Sequence, residues 1–205
     1  TKTFAPDSVN TIDLKSSILY RNLTASFDYQ PNERHKMNFG ATATRYDINP
    51  GILNEGVVSR VSTVKLPFEQ SYELAVFADD EWTLSDKFTL QAGLRYSHYY
   101  RMGAGTENVY APGQMPSLNT ILRKNTYADG EVMASYGGFE PRVTMKYSLA
   151  ENTTMKFGYN RQQQFFQLLS NNTTPLPTSR WKTADNFIKP QQSDFLSLGR
   201  SEEHT

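Results

Sequence analysis

Few side chains in this sequence combine the type and the spacing that metal binding requires. His35 lies in a short turn and His98 near a strand end, and neither has a second histidine or a carboxylate at the spacing of metal ligands. Asp79, Asp80 and Glu81 form the densest acidic cluster, but no glycine-bearing calcium loop accompanies them. We therefore predict no metal site and no cofactor.

No group of residues predicts catalysis, so we do not expect an enzyme. The sequence offers no Ser-His-Asp set, no phosphate-binding glycine motif and no catalytic pair of carboxylates. Glu140 and Arg142 alternate along one strand, where they would either form a charge ladder or contact a ligand. Other side chains of long loops could clamp a ligand or pack against one another, which leaves the ligand-binding residues unassigned: Tyr99, Tyr100, Arg101, Tyr110, Arg123, Arg180 and Trp181.

Composition narrows the class of protein. The 205 residues contain 21 Lys plus Arg and 21 Asp plus Glu, and this zero net charge argues against a nucleic-acid partner. Apolar residues make up 38%, the mean hydropathy is −0.60, and no apolar run approaches the ~18 residues of a transmembrane helix. Membrane-spanning strands remain allowed, because a polar residue at every second position dilutes their apolar face. There is no cysteine and hence no disulfide.

Alternation of apolar and polar residues predicts about seven strands. Six of them form three hairpins with short turns at residues 31–34, 85–87 and 151–152. In the second hairpin the apolar faces can coincide only if Leu84 lies opposite Phe88 and Trp82 opposite Leu90. The strands are predicted at residues 18–29, 37–43, 72–84, 88–96, 141–149, 155–159 and 191–199.

Long irregular connections separate the hairpins, at residues 46–70, 101–137 and 165–189. Short turns at one end and long loops at the other are typical of a β-barrel in the outer membrane. We therefore predict an all-β protein, an antiparallel transmembrane β-barrel segment in contact with outer-membrane lipid. The alternative is a soluble all-β binding or adhesion module, in which the aromatic residues would fill a sandwich core.

Charged residues fit this prediction with one exception. Arg95, Arg142 and Lys146 share the polar side of their strands, whereas Arg45 and Arg161 fall on the apolar side near the loop ends, where they can reach the membrane interface. Asp80 also falls on the apolar side. We expect either a β-bulge at residues 79–81 that turns it inward or a position at the barrel rim.

Aromatic residues lie near both ends of the strands, as two interfacial girdles would require. Trp82 and Phe88 are near the short turns. The aromatic residues near the long loops are Tyr20, Tyr46, Tyr72, Tyr96, Tyr99 and Tyr100.

One segment carries a family resemblance. Residues 73–99, ELAVFADDEWTLSDKFTLQAGLRYSHY, resemble the barrel strands of TonB-dependent receptors, above all those of Bacteroidota, with an acidic residue before Trp, a Ser-Asp-Lys turn and then Gly-Leu-Arg-Tyr. Other pieces resemble the same family in its usual chain order: NFGATATRYDINPG, FEPRVTM, KFGYNRQQQF, LLSNNTTPLPTSRW and IKPQQSDFLSLG.

The resemblance implies a 22-stranded barrel, plugged by an N-terminal domain, that imports a siderophore, cobalamin or glycan with energy delivered by TonB. The expected partners are thus a small-molecule or glycan ligand and the TonB complex, the latter through an N-terminal region absent from this sequence. A passive, porin-like barrel shares the strand pattern and is the alternative function.

The C-terminal residues prompt a separate expectation. Arg200 to Thr205 can be translated back into the start of a common sequencing adapter. We expect residues 200–205 to be an artefact and residues 1–199 to be part of an outer-membrane barrel domain, cut from a longer chain.

Overall fold

The computed structural model describes residues 2–4, 12–55, 64–65, 67–169 and 180–202. These residues form β-strands and one short 3-10 helix at Leu118–Thr120, and no helix among them is long and apolar enough to cross a membrane. The strands are β1 (Lys2–Phe4), β2 (Ile12–Asn32), β3 (His35–Glu55), β4 (Val64–Lys65), β5 (Glu69–Ser85), β6 (Phe88–Met102), β7 (Gly105–Tyr110), β8 (Ile121–Tyr127), β9 (Val132–Ala150), β10 (Thr153–Gln164), β11 (Phe166–Leu169), β12 (Arg180–Thr183) and β13 (Gln191–Glu202).

One antiparallel sheet holds all seven long strands. Its order is β1-β2-β3-β5-β6-β9-β10-β13, and β4 pairs with β3. The three hairpins are confirmed, each with a two-residue turn, at residues 33–34, 86–87 and 151–152. Neighbouring hairpins are joined near these turns, because the Thr83 N–H donates to the Arg34 carbonyl and the Ser148 N–H to the Lys87 carbonyl, each at 2.8 Å.

The register places all the apolar strand faces on one side of the sheet. Phe39 pairs with Phe27 on β2 and with Ala78 on β5, and Ala78 in turn pairs with Leu94 on β6. This outer face is exposed: Leu23 is 74% and Leu198 76% accessible. Apolar side chains of this size exposed on a whole sheet face need an apolar surrounding.

The opposite, inner face is polar and partly buried. Ser71 and Ser97 are fully buried there, and Thr44 is nearly so. The buried apolar cluster of the described ranges consists of Tyr99, Phe165 and Ala184, which is far too small for a soluble domain of this length. No second sheet covers the apolar face in these ranges, as the soluble sandwich would require.

The second hairpin differs from the predicted register at its turn. Trp82 pairs with Leu90 as predicted, but Phe88 pairs with Ser85, so the predicted pair of Leu84 with Phe88 is wrong. A register shift between Thr83 and Ser85 leaves Leu84 as an extra residue. The two-residue turn and the bulge together keep the apolar faces aligned.

Asp80 stays on the outer face, and the predicted β-bulge around it is absent. It pairs with Met37 and Ala92 without any shift of register, close to the turn that precedes β3. His35 Nδ1 lies 2.7 Å from Asp80 Oδ2, and the His35 ring stacks on Trp82 at 5.3 Å. The contact with His35, rather than a bulge, therefore accommodates this carboxylate on the outer face.

The three long connections are more regular than the sequence indicated. β3 continues to Glu55 and β5 begins at Glu69, β7 and β8 form a hairpin within residues 101–137, and β11 pairs with β12 within residues 165–189. Strands that rise above a membrane have water on both faces, so they lose the apolar and polar alternation that marks a strand in sequence. Residues 56–63, 66 and 170–179 of these connections lie outside the described ranges.

Arginine substitutions at two neighbouring positions of β9 test which face of the sheet contacts lipid. We expect Val143→Arg, on the outer face, to lower the free energy of unfolding by ~2–4 kcal/mol, because its guanidinium would lie in the apolar band. Thr144→Arg, on the inner face, should cost less than ~1 kcal/mol. Urea titration of the whole protein that carries this sequence, folded into phospholipid vesicles, measures both changes, and equal losses would contradict the assignment of the faces.

Candidate functional site

Arg95 is the centre of a charge network on the inner face. Its Nη2 donates to Glu73 Oε1 and to Thr42 Oγ1, both at 3.1 Å, and its Nε donates to Ser97 Oγ at 3.0 Å. Ser97 Oγ donates in turn to Glu140 Oε1, which lies 3.8 Å from Arg95 Nε. Arg95 thus bridges carboxylates from two different strands, and it lies inward as predicted.

A second ion pair continues this network toward the short turns. Arg142 Nη2 donates to Asp79 Oδ2 at 2.5 Å, across the β6 strand that separates the two residues. Gly93 lies between them, and a Cβ added there would come within 2.7 Å of the Asp79 Cβ and 2.8 Å of the Arg142 Nε. Gly93 therefore leaves the space for the pair to cross, and the geometry favours the charge ladder for Glu140 and Arg142.

Beside this network the inner face forms a groove of about 640 Å³. Its lining is mixed, with charged, amide and aromatic side chains that include Arg95, Glu140, Arg142, Asn160, Gln162 and Phe195. Such a wall can contact water or a polar molecule, and it is unsuited to a lipid tail.

At the loop end, Glu69 holds the β11–β12 hairpin against the inner face. Its carboxylate lies 3.1 Å from Arg101 Nη1 and 2.8 Å from Lys182 Nζ. The backbone N–H and the hydroxyl of Thr183 also donate to it, at 2.9 and 2.8 Å. Lys182 reaches Asp185 as well, at 2.8 Å. We call Glu69, Arg101, Lys182, Thr183 and Asp185 the loop-end lock.

Aromatic side chains reinforce the loop-end lock. The Tyr99 ring stacks on Phe165 with centroids 5.0 Å apart and planes 4° apart, and its hydroxyl donates to the Ala184 carbonyl at 3.0 Å. The Tyr136 hydroxyl donates to the Asp185 carbonyl at 2.7 Å. Strands β6 and β9 therefore both hold the segment that follows β12.

The environment at the loop-end lock shifts the pKa of Glu69 and of the neighbouring Tyr99. Burial alone would raise the pKa of Glu69, but Arg101, Lys182 and the Thr183 N–H favour the charged form and lower this pKa to about 2. Burial raises the pKa of Tyr99 to about 12. Glu69 therefore stays ionised and Tyr99 stays a hydroxyl donor over the physiological range.

Several residues considered for ligand binding or for the girdles have other positions. Tyr99 and Arg101 are buried in or against the loop-end lock, so the packing alternative holds for them. Tyr20 and Tyr46 pair with each other on the inner-face register, and Tyr46 donates to Glu73 Oε2 at 3.1 Å, so Tyr20, Tyr46 and Tyr99 do not belong to an outer girdle. The predicted girdle residues that do share the outer face are Tyr72, Trp82, Phe88, Tyr96 and Tyr100.

The remaining candidates for ligand binding lie apart from one another. Tyr110 meets Phe187 edge to face at 5.9 Å, and Trp181 stacks on Phe166 at 4.5 Å. Arg123 lies on β8, and the side chain of Arg180 lies outside the described residues. Sequence reasoning missed four members of the loop-end lock, because each lies in a segment without periodicity and meets its partners only through the fold: Glu69, Lys182, Thr183 and Asp185.

Neither His35 nor His98 joins a cluster of metal ligands. His98 contacts the Tyr96 hydroxyl at 3.1 Å and Ser135 Oγ at 2.7 Å, and His35 contacts Asp80. Within the ranges that the structure describes, no group of three or more His, Asp or Glu residues could hold a metal ion.

A family model for the outer membrane beta barrel domain matches residues 14–197. The chain belongs to this outer-membrane β-barrel family. Its apolar outer face is therefore the surface that contacts the lipid of the outer membrane. By the general rule for such barrels the short turns lie on the periplasmic side and the loop-end lock on the extracellular side.

The fold has a counterpart among solved structures. The chain is similar to the copper transporter OprC, with a TM-score of 0.53 and 15% sequence identity over 96% of this chain. It spans 29% of the length of OprC. At this identity the likeness establishes the barrel fold alone. No curated protein matches the sequence.

Removing one charge should release the β11–β12 hairpin. In Glu69→Gln the Arg101 cation loses its carboxylate partner and Lys182 keeps only Asp185, and loss of one partner costs ~3–5 kcal/mol in buried pairs. Trypsin should then cleave after Lys182 at least ~10²-fold faster than in the unchanged protein. Glu151→Gln, in an exposed turn at the opposite end, is the matched control, and equal cleavage rates in both variants would contradict the role of Glu69.

Acid should release the same hairpin. Because the pKa of Glu69 falls from its ordinary 4.5 to about 2 in the folded protein, its contribution to stability is complete above pH ~4.5 and is lost as the pH falls to ~2. We expect the amide protection of residues 181–188 to be constant from pH 7 to ~4.5 and to decline below that, measured by hydrogen exchange with mass spectrometry. In Glu69→Gln this decline should be smaller, and an unchanged decline would assign it to other groups.

Proposed function

We propose that this chain forms part of the wall of an active outer-membrane importer, which takes up a scarce ligand with energy delivered through TonB. The observation that carries the proposal is the inner face, which combines a paired charge network, a mixed polar groove and a loop hairpin held inward by Glu69. A transport path for a polar solute needs such a wall. Binding and passage are therefore the role that we assign to it.

The segments similar to TonB-dependent receptors support the active form of transport. Residues 73–99, which carry the most specific resemblance, form the β5–β6 hairpin and supply Glu73, Asp79 and Arg95 to the inner network. The resemblance thus coincides with the residues that shape the interior. A 22-stranded barrel around a plug fits a wall whose inward charges are paired along the sheet.

The ligand is proposed only as a class, a siderophore, cobalamin or a glycan. OprC is named as a copper transporter, but 15% identity does not carry copper over to this chain. We further propose that residues 200–205, of which Arg200 to Glu202 continue β13, derive from a sequencing adapter, which long-read sequencing of the gene tests directly.

Uptake by cells distinguishes the importer from a passive barrel. Cells that depend on the whole protein should accumulate one of four probes, namely a ferric siderophore, cobalamin, an oligosaccharide or copper, against its concentration gradient. Deletion of TonB or collapse of the proton gradient should abolish this accumulation, because the barrel wall itself contains no source of energy. Uptake that persists after both treatments and saturates only at high concentration would establish a passive porin instead.

A further inference from the structure

Two arginines on the outer face share one carboxylate at the loop end. Arg21 on β2 and Arg45 on β3 are paired in the register, and Asp47 follows on the same side of β3. Asp47 accepts hydrogen bonds from Arg45 Nε at 2.9 Å, from Arg45 Nη2 at 3.0 Å and from Arg21 Nη1 at 3.1 Å. We call these three residues the outer arginine cluster.

The outer arginine cluster lies just above the apolar band of the barrel. Arg45 is ten residues beyond His35, which follows the short turn. At a rise of ~3.4 Å per residue and a strand tilt of ~35–45°, this places it about 26 Å from the turn. The apolar band of such barrels is ~25 Å tall, so both guanidinium groups lie at the level of the lipid headgroups of the extracellular leaflet.

Charge and exposure show what the cluster could bind. The Asp47 side chain is 9% exposed, whereas those of Arg21 and Arg45 are 56% and 38% exposed. Burial would raise the pKa of Asp47, but hydrogen bonds from Arg45 and Gln70 lower it, so the carboxylate stays ionised. Two cations against one anion leave a net charge of +1 directed at the headgroups.

The geometry also prepares the cluster for an anion that offers several acceptor oxygens. Asp47 fixes both guanidinium groups side by side, and the Arg45 guanidinium lies over the Tyr72 ring, 5.7 Å from its centroid. Each guanidinium has five N–H donors, more than one shared carboxylate can accept. Such forks match a phosphate group better than an ammonium would.

We propose that the outer arginine cluster binds a phosphate group of a glycolipid in the extracellular leaflet. Basic residues next to a membrane surface each contribute about 1 kcal/mol to the binding of anionic lipid, which corresponds to about fivefold in affinity per arginine. The site is independent of the transport path, because it lies on the opposite face of the sheet from Arg95 and the inner groove.

The same outer face supplies an internal control. Arg161 on β10 also lies near the loop end, where its Nε and Nη2 donate to the two oxygens of Asp194 at 2.7 and 3.2 Å. This pair has one cation and one anion, with the Tyr159 hydroxyl also donating to Asp194 at 2.9 Å. It carries no net charge and should not select for phosphate.

Native mass spectrometry of the whole detergent-folded protein tests the proposal with bis-phosphorylated lipid A and the same lipid after phosphatase treatment. We expect the unchanged protein to prefer the phosphorylated lipid by at least ~5-fold. Arg21→Gln should remove most of this preference, Arg21→Lys should keep part of it, and Arg161→Gln should leave it intact. Heat-modifiable gel mobility confirms that each variant is folded.

Three outcomes would overturn the proposal. The first is the absence of any preference for phosphorylated lipid A in the unchanged protein. The second is an equal loss in Arg21→Gln and Arg161→Gln, which would make the preference a general effect of surface charge. The third is full competition by inorganic phosphate at the concentration of the lipid, which would show a site for the free anion and not for a membrane lipid.

Discussion

The alternation of side chains along each strand is the constraint on which this structure depends. In a sheet with apolar residues on one face and polar residues on the other, a shift of one residue in any pairing would turn a whole strand inside out. The register therefore has to keep the apolar residues on the same face in every strand pair from β2 to β13. The observed pairings meet this requirement. Where the hairpin turn between β5 and β6 does not match this requirement, the bulge at Leu84 restores it.

On the inner face, the same constraint brings the charged side chains of neighbouring strands together. Arg95, Glu73 and Glu140 come from three strands and satisfy one another, as do Arg142 and Asp79. Because each partner is supplied by a neighbouring strand, the network also ties the strands together in their register. At the loop end, Glu69 extends this principle to a segment outside the sheet.

Sequence alone predicted the parts of the fold that repeat. Three hairpins, seven strands and the inward direction of Arg95, Arg142 and Lys146 follow from period-two alternation, which lipid on one side imposes. Above the membrane both faces of a strand meet water, so the alternation that marks a strand in the sequence is lost. The sequence therefore did not predict the β7–β8 and β11–β12 hairpins or the inward rings of Tyr20, Tyr46 and Tyr99. The resemblance to TonB-dependent receptors carries functional information that neither periodicity nor the residues of the loop-end lock contain.

The hydrogen bonds that join neighbouring hairpins have a geometric consequence. Thr83 is level with Arg34, and Ser148 with Lys87, so each short turn extends about three residues beyond the one before it. A step of three residues is ~10 Å along the strand, and two strand spacings are ~9.6 Å across it. If all three turns end at one membrane surface, the strands must cross the bilayer at about 45° to its normal. The inclination of the wall, and with it the oblique course of any path along its inner face, is thus fixed by where three two-residue turns occur in the chain.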